Sequence, residues 1–371
     1  METFDYVIIG AGSAGSVLTN RLSEDAGTRV CVLEAGPSDW HPYIHLPAGF
    51  IKTFHMKSVN WAYQQEPGPY TGGRSIYAPR GKTLGGSSSI NGHIYNRGQR
   101  QDFDTWAQLG NRGWGYPDVL PYFRRMERRI GEGDDTYRGR DGNLTVTTMD
   151  WQDPLCEAFM AGAVSLGIPR NPDYNGQIQE GVSYCQRTIL NGRRVSAATA
   201  FLHPARRRPN VDVRTHAHVT GIIFEGKRAV AVEYMQGKEK KVLRAKREVI
   251  LSAGAFQSPQ LMMLSGVGDA AALGKHGIAS VHHLPGVGQN LQDHPDFVFG
   301  FASDAPYFSG LSWGGIGRII KGIGQYRRER RGPMTSNVAE CGGFLKTRPD
   351  LDIPDIQLRS EEHTSELQSR P

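Results

Sequence analysis

The chain has 371 residues, 43 of them Lys or Arg and 37 Asp or Glu, giving a net charge of +6, and 38% of it is hydrophobic. That length and apolar content suit about two domains with a buried core and exclude simple disorder. No run of 18 apolar residues occurs, so no transmembrane segment is expected. The four cysteines, Cys31, Cys156, Cys185 and Cys341, are scattered without a CxxC pair. They read as the reduced thiols of a cytoplasmic protein, with no metal site. Met1 leads into an apolar strand pattern without a signal-type segment. The 46 glycines, about 12% against a usual ~7%, cluster in loops where a ligand can approach the backbone.

In chain order, Asp5–Ile9 is a short apolar run that suits a buried parallel strand. Gly10-Ala11-Gly12-Ser13-Ala14-Gly15 follows at once, then a helical segment through Leu18 and Leu22, a turn near Gly27, and a second strand from Val30 to Leu33 ending in Glu34. This is a complete β-α-β unit. Residues 36–80 read as a long irregular excursion. Pro117 opens a helix predicted to continue through Arg129. Alternating strands and turns are expected over 140–190. Val211–Val242 reads as an antiparallel meander with turns near Gly226 and Gly237, and Glu248–Leu251 as a buried strand returning to the first sheet. Two basic clusters, Arg206–Arg208 and Arg327–Arg331, read as solvated helix ends or loops. Neither has the interleaved aromatics of a single-strand binder, so no nucleic acid is expected. A peripheral contact with the inner face of a membrane stays open.

In Gly10-x-Gly12-x-x-Gly15 the first glycine permits a tight turn. The second lets a pyrophosphate approach the backbone, and the third packs helix on strand. Phosphates would sit at the helix N-terminus, where free N–H groups favour anions. Glu34, 24 residues after Gly10, has a carboxylate that can accept hydrogen bonds from an adenosine ribose. This pattern predicts dinucleotide binding and leaves FAD and NAD both open.

The discriminating element is a second loop, Arg80-Gly81-Lys82-Thr83-Leu84-Gly85-Gly86-Ser87-Ser88-Ser89-Ile90-Asn91-Gly92. Together with Gly254-Ala255-Phe256-Gln257-Ser258-Pro259 and the following residues to Gly268, and with Gly286–His294, it resembles the glucose–methanol–choline (GMC) flavin oxidoreductases, especially choline-dehydrogenase-like alcohol dehydrogenases. The resemblance runs from residue 4 to about 358. It implies an α/β fold: a Rossmann-like FAD-binding domain, residues 1–140 and 205–297, with an inserted, incomplete α+β substrate domain, residues 141–204 and 298–358.

The resemblance also implies roles for particular residues. Gly10, Gly12, Ser13, Ala14, Gly15 and Glu34 would hold the ADP half of FAD. Thr83, Leu84, Gly85, Gly86 and Ser87, with Asn91, Gly92, His93 and Ile94, would line the pyrophosphate and flavin side. Val219 matches a position whose backbone contacts the adenine, and Ala253 and Gly254 end the strand beneath the cofactor. Asn290 and Asp293 would lie near it. Some family members attach the flavin to a histidine where this chain has Ile90, so FAD is expected to be noncovalent. His93, three residues on, is expected to serve local hydrogen bonding or packing.

The family oxidises an alcohol, implying a small-molecule alcohol substrate and an electron acceptor, quinone-like or oxygen. Its catalytic histidine comes from a C-terminal segment that matches nothing in this sequence, and His282, His283 and His294 read as structural or surface residues. No catalytic residue is therefore assigned. From Arg359 the sequence resembles the read-through translation of a sequencing-library adapter, so residues 359–371 are expected to be a non-native tail; without them the charge is +7. The alternatives are a non-catalytic flavin-binding module and a nicotinamide-dependent dehydrogenase. The sequence as it stands is expected to bind FAD weakly and not to turn over.

Overall fold

The computed structural model describes residues 1–300 and 313–360. The chain divides into two compact units: Met1–Ile44, Ile51–Ile90 and Ser196–Asp296 form the first, and His45–Phe50, Asn91–Val195 and Phe297–Pro371 the second.

In the first unit, strand β1 (Glu2–Ile9) leads into helix α1 (Ser13–Leu22) and strand β2 (Val30–Leu33). Strands β3 (Val211–Arg214), β4 (Ala217–Glu225), β5 (Arg228–Gln236) and β6 (Glu239–Leu251) complete a six-stranded sheet of order β3-β2-β1-β6-β5-β4, and helix α2 (Gly254–Leu264) follows. The four strands from β3 to β6 through β2 and β1 pair in parallel, and β6, β5 and β4 pair antiparallel.

The expected β-α-β unit and the turns at Gly226 and Gly237 are present, with two differences. Val211–Arg214 is not in the meander but pairs in parallel with β2. The last meander strand and the returning strand are one element, β6, antiparallel to β5 over Glu239–Arg244 and parallel to β1 over Leu243–Leu251. Alternation along β1 explains the burial on both faces. Val7 and Ile9 pack with Leu33, Tyr234 and Leu261, while Ile8 packs with Val30, Val32, Leu84 and Leu202.

In the second unit, strands Gly181–Tyr184, Cys341–Leu345 and Ile356–Ser360 form an antiparallel sheet with Cys341–Leu345 in the middle. The helix Pro154–Ser165 packs on it through Cys156 and Met160. This helix lies where alternating strands were expected. Its start is set by Asp153, whose side chain accepts the Leu155 and Cys156 N–H groups at 2.9 and 3.1 Å. The helix Tyr116–Met126 stops three residues short of its expected end at Arg129. Glu127 turns to extended backbone so that its buried carboxylate meets Arg97 at 2.6 Å, Arg138, and the Gly139 N–H at 3.0 Å.

Ile356–Ser360 is a single strand, so Arg359 and Ser360 continue the chain's structure past Leu358; the rest of the expected tail lies outside the described residues. The four cysteines are buried and form no disulfide. Among the described residues no helix is long and apolar enough to cross a membrane, and no cluster of His, Cys, Asp or Glu suits a metal.

Candidate functional site

Two glycine loops meet at the end of β1. Gly10 has φ +94°, and a Cβ there would lie 2.5 Å from the Ser252 carbonyl oxygen, so the turn needs glycine for both conformation and space. A Cβ on Gly15 would sit 1.9 Å from the Gly10 carbonyl oxygen, which makes it the close-packing position between α1 and β1. Gly12 differs: a Cβ there would find no protein atom nearer than 3.9 Å. Gly12 is also the N-cap of α1 and makes no side-chain cap, so the first turn keeps its N–H groups unclaimed by any side chain. Ser13, Ala14 and Gly15 supply that turn.

The second loop lies against the first. The Gly85 N–H donates to the Ala11 carbonyl at 2.8 Å, and a Cβ on Gly86 would come within 2.8 Å of Gly12 Cα. Thr83 Oγ1 and the Leu84 N–H both donate to the Pro37 carbonyl, at 3.0 and 3.2 Å, tying this loop to the turn after β2. Its hydroxyls brace the loop itself. Ser87 Oγ accepts the Gly81 N–H at 3.0 Å, and Ser89 Oγ donates to the Leu84 carbonyl at 2.7 Å. Ser88 Oγ donates to the Gly85 carbonyl at 2.6 Å, so of the three hydroxyls that of the exposed Ser87 keeps its hydrogen for a ligand.

Glu34 is 6% exposed. Its Oε2 accepts the Ala11 N–H at 3.0 Å and its Oε1 the Gly36 N–H at 2.8 Å. Burial pushes its carboxyl up to about 7, against the pull of the two amides and of Lys82. The Ala217 N–H donates to the Glu34 carbonyl at 2.8 Å, which brings the start of β4, and with it Val219, to the end of β2. Ala253 is the N-cap of α2, and Gly254, with φ +86°, has open space where a Cβ would stand. Arg80 meets Asp293 at 3.5 Å on the exposed side, and Asn290 adopts φ +54°. His282 and His283 are exposed in a short strand paired with Val267–Gly268.

Asn91, Gly92, His93 and Ile94 belong to the second unit. Arg194 Nη1 donates to both the carbonyl and Oδ1 of Asn91 at 2.8 Å, and Asn91 Oδ1 accepts the His93 N–H at 3.2 Å. Asn337 Nδ2 donates to the Gly92 carbonyl at 3.0 Å, and Ile94 bridges to Arg187. His93 is 1% exposed, has φ +62°, and sets its ring edge-on to Phe50. Among the described residues neither ring nitrogen makes a well-formed hydrogen bond, and the Gly92 backbone is the one neighbour that favours the ring's charged form. The ring packs against Phe50, while the His93 N–H bonds Asn91 and its carbonyl accepts the Thr188 N–H at 2.9 Å. Burial first, and then the charge of Arg194, hold the imidazole well below its usual range and hence neutral.

Sequence reasoning missed two features. Lys82 Nζ rests 4.4 Å from the Trp61 ring centroid, and Arg194 supports Asn91 from 103 residues away. No spacing signal pairs either set, because both contacts are created by the folding of the loops.

The residues of the first unit fit a dinucleotide: uncapped helix amides, room left at Gly12, and a buried carboxylate at the end of β2. Comparison with known proteins agrees. Residues 4–296 match the GMC oxidoreductase family. The chain is 46% identical over 357 residues to an alcohol dehydrogenase [acceptor] of Pseudomonas putida, covering 96% of this chain and 65% of that protein. It is 47% identical over 355 residues to an oxygen-dependent choline dehydrogenase of Sinorhizobium medicae, covering 95% and 64%. Among solved structures it resembles a pyridoxine 4-oxidase from Mesorbium loti, with TM-score 0.72 and 35% identity over 76% of this chain and 55% of that one. It also resembles an FAD-dependent oxidoreductase from Chaetomium thermophilum, with TM-score 0.84 and 27% identity over 92% and 62%. The chain thus spans just under two thirds of the length of the curated relatives it matches. It belongs to the GMC oxidoreductase family.

Proposed function

We propose that this chain is the cofactor-holding part of an FAD-dependent enzyme that oxidises an alcohol and passes the electrons to an acceptor. The carrying observation is the backbone contact of the two glycine loops, with the Gly85 N–H on the Ala11 carbonyl and Gly86 against Gly12, beside the buried Glu34. In this reading Gly10, Gly12, Ser13, Ala14 and Gly15 hold the pyrophosphate, and Glu34 accepts the ribose hydroxyls. Thr83, Leu84, Gly85, Gly86 and Ser87, with Asn91, Gly92, His93 and Ile94, line the pyrophosphate and flavin side, the Val219 backbone contacts the adenine, and Ala253 and Gly254 end the strand beneath the cofactor.

When bound, FAD supplies the hydride acceptor for the alcohol carbon. The contribution of this chain is binding and orientation. The helix amides meet the phosphate charge, and the braced second loop fixes a close backbone approach. Ile90, buried with Ile44 and Val59, offers no nucleophile for a covalent flavin bond, so FAD is held noncovalently. We assign no catalytic base among the described residues, and expect weak FAD binding without turnover. Alcohol substrate, quinone-like or oxygen acceptor and cytoplasmic location are part of the same reading; the family match, the names of the relatives and the unbridged cysteines support it.

The test is titration of the purified chain with FAD, followed by quenching of flavin fluorescence, with NAD as competitor. Saturable FAD binding that NAD does not displace, and release of free FAD on acid precipitation, are expected. Failure to bind FAD sinks the reading. Alcohol-dependent bleaching of the bound flavin, tested with choline and simple primary alcohols, would show that a base had been overlooked.

A further inference from the structure

We propose that Lys82, seated on the ring face of Trp61, is the electrostatic partner of Glu34 in the dinucleotide site and thereby a positioning residue for the cofactor's ribose. The proposal rests on the FAD reading above for its ligand, and on the first unit alone for its geometry.

Lys82 stands between Gly81 and Thr83 in the stem of the second loop, with Nζ 4.4 Å from the Trp61 ring centroid. Both partners are fixed by backbone. The Lys82 N–H donates to the Val59 carbonyl at 2.8 Å, and the Trp61 N–H to the Arg80 carbonyl at 2.9 Å. Asn60 Oδ1 accepts the N–H groups of Ala62 and Arg80 at 2.9 and 3.0 Å, locking the two segments together. Trp61 is held in turn by Tyr63, stacked at 5.9 Å, and by His218, edge-on at 5.7 Å. The ammonium is therefore parked on an aromatic face, and among the described residues it makes no ion pair.

The same stem touches the turn that carries Glu34. A Cβ on Gly36 would fall 1.9 Å from the Lys82 carbonyl oxygen, and Gly36 is the residue whose N–H Glu34 Oε1 accepts. Ionisation of Glu34 is opposed by burial, and the positive charge of Lys82 counters that. Other ionisable groups stand nearby: His216, which is exposed, donates its N–H to the Gly36 carbonyl at 2.9 Å. Arg214 on β3 is committed to Glu2, Asp212 and Tyr234. His218 on β4 is kept toward its neutral form by desolvation and by Lys82 itself. A carboxylate accepts two ribose hydroxyls where a protonated carboxyl has given up part of that capacity. The lysine thus favours the state of Glu34 that binds.

The experiment compares the unmodified chain with K82M, K82R, W61L, E34Q and E34Q/K82M. Thermal melting is followed without ligand from pH 5 to 8, and FAD affinity is measured at pH 7. Without Lys82 the carboxyl should titrate higher, by about 0.5–1 pH unit. The melting temperature of K82M should then fall progressively further below that of the unmodified chain as pH rises. K82R should follow the unmodified chain, and W61L should fall between them. In the E34Q background the K82M effect should lose its pH dependence; dependence that stays there belongs to His218 and overturns the proposal. A K82M deficit equal at every pH, the mark of a packing role, also overturns it. FAD affinity at pH 7 should drop about 2–5-fold in K82M and be kept in K82R, in line with the expected titration shift of a carboxyl near 7. If the unmodified chain binds no FAD, the cofactor reading fails, while the ligand-free melting curves still decide whether Lys82 acts on Glu34.

Discussion

Gly86 and Gly12 approach so closely that a side-chain carbon on Gly86 would stand 2.8 Å from Gly12 Cα, whereas one on Gly12 would find no protein atom within 3.9 Å. The two glycines are therefore required for different reasons, and their alanine variants should separate. Gly86 also has φ +54°, so G86A combines left-handed backbone with a backbone clash and should destabilise the chain by about 1–3 kcal/mol. G12A should melt within about 0.5 kcal/mol of the unmodified chain and yet bind FAD at least tenfold more weakly, because the space it fills is the ligand's. Chemical denaturation and FAD titration of both variants check this. Equal stability losses would remove the distinction.

Glu34 gives the ligand-free chain a pH-dependent stability. Burial raises its folded carboxyl from 4.5 to about 7, so the folded form binds a proton more readily than the unfolded one. The associated stability is fully present below pH 4.5 and is lost as pH rises through about 7, and amounts to about 3 kcal/mol. E34Q should flatten the melting temperature over that window. It should also lose about 1–3 kcal/mol of its own, since an amide cannot accept both the Ala11 and Gly36 N–H groups. FAD, which we propose donates ribose hydroxyls to the ionised form, should stabilise most above pH 7. Parallel melting curves for the two proteins would contradict the assignment.

What the sequence made legible were features with local period or fixed spacing. The apolar runs of β1 and β2, the glycine turn between them and Glu34 at the second strand's end all lie within 34 residues, and the structure forms each. The joining of the meander to the returning strand in β6 was harder to read. Nothing local says that one extended segment changes partners from β5 to β1 near Leu243. The helix ending at Met126 was likewise hidden, because its end answers to Arg138, twelve residues beyond it, and to Arg97. The support of Asn91 by Arg194 and of Glu34 by Lys82 is tertiary in the same sense. Each joins segments far apart in the sequence, so no local pattern marks it.

Glu127, Arg97 and Arg138 are all nearly or fully buried, with the Arg97 Nη2 to Glu127 Oε2 distance 2.6 Å. Removing the shared carboxylate leaves two guanidinium groups without it in a desolvated interior. E127Q should therefore cost about 3–5 kcal/mol, measured by urea unfolding followed by circular dichroism. Loss of less than 1 kcal/mol would show that water reaches these groups.

His93 should behave in the opposite way. Its buried ring makes no well-formed hydrogen bond on either nitrogen among the described residues, and only the Gly92 backbone stands near enough to act on it, so the imidazole's polarity is poorly compensated in the ligand-free fold. His93→Leu keeps the packing against Phe50 and removes that penalty, while the left-handed backbone at φ +62° disfavours both residues. The ligand-free variant should be as stable as the unmodified chain or more so, within about 1 kcal/mol. Any cost should appear on adding FAD, as a reduced gain in melting temperature, if the ring nitrogens are reserved for the cofactor. Thermal shift with and without FAD reads both arms. A large ligand-free loss would mean that the ring is already hydrogen-bonded, through water or residues outside the described set, and is not held ready for a ligand.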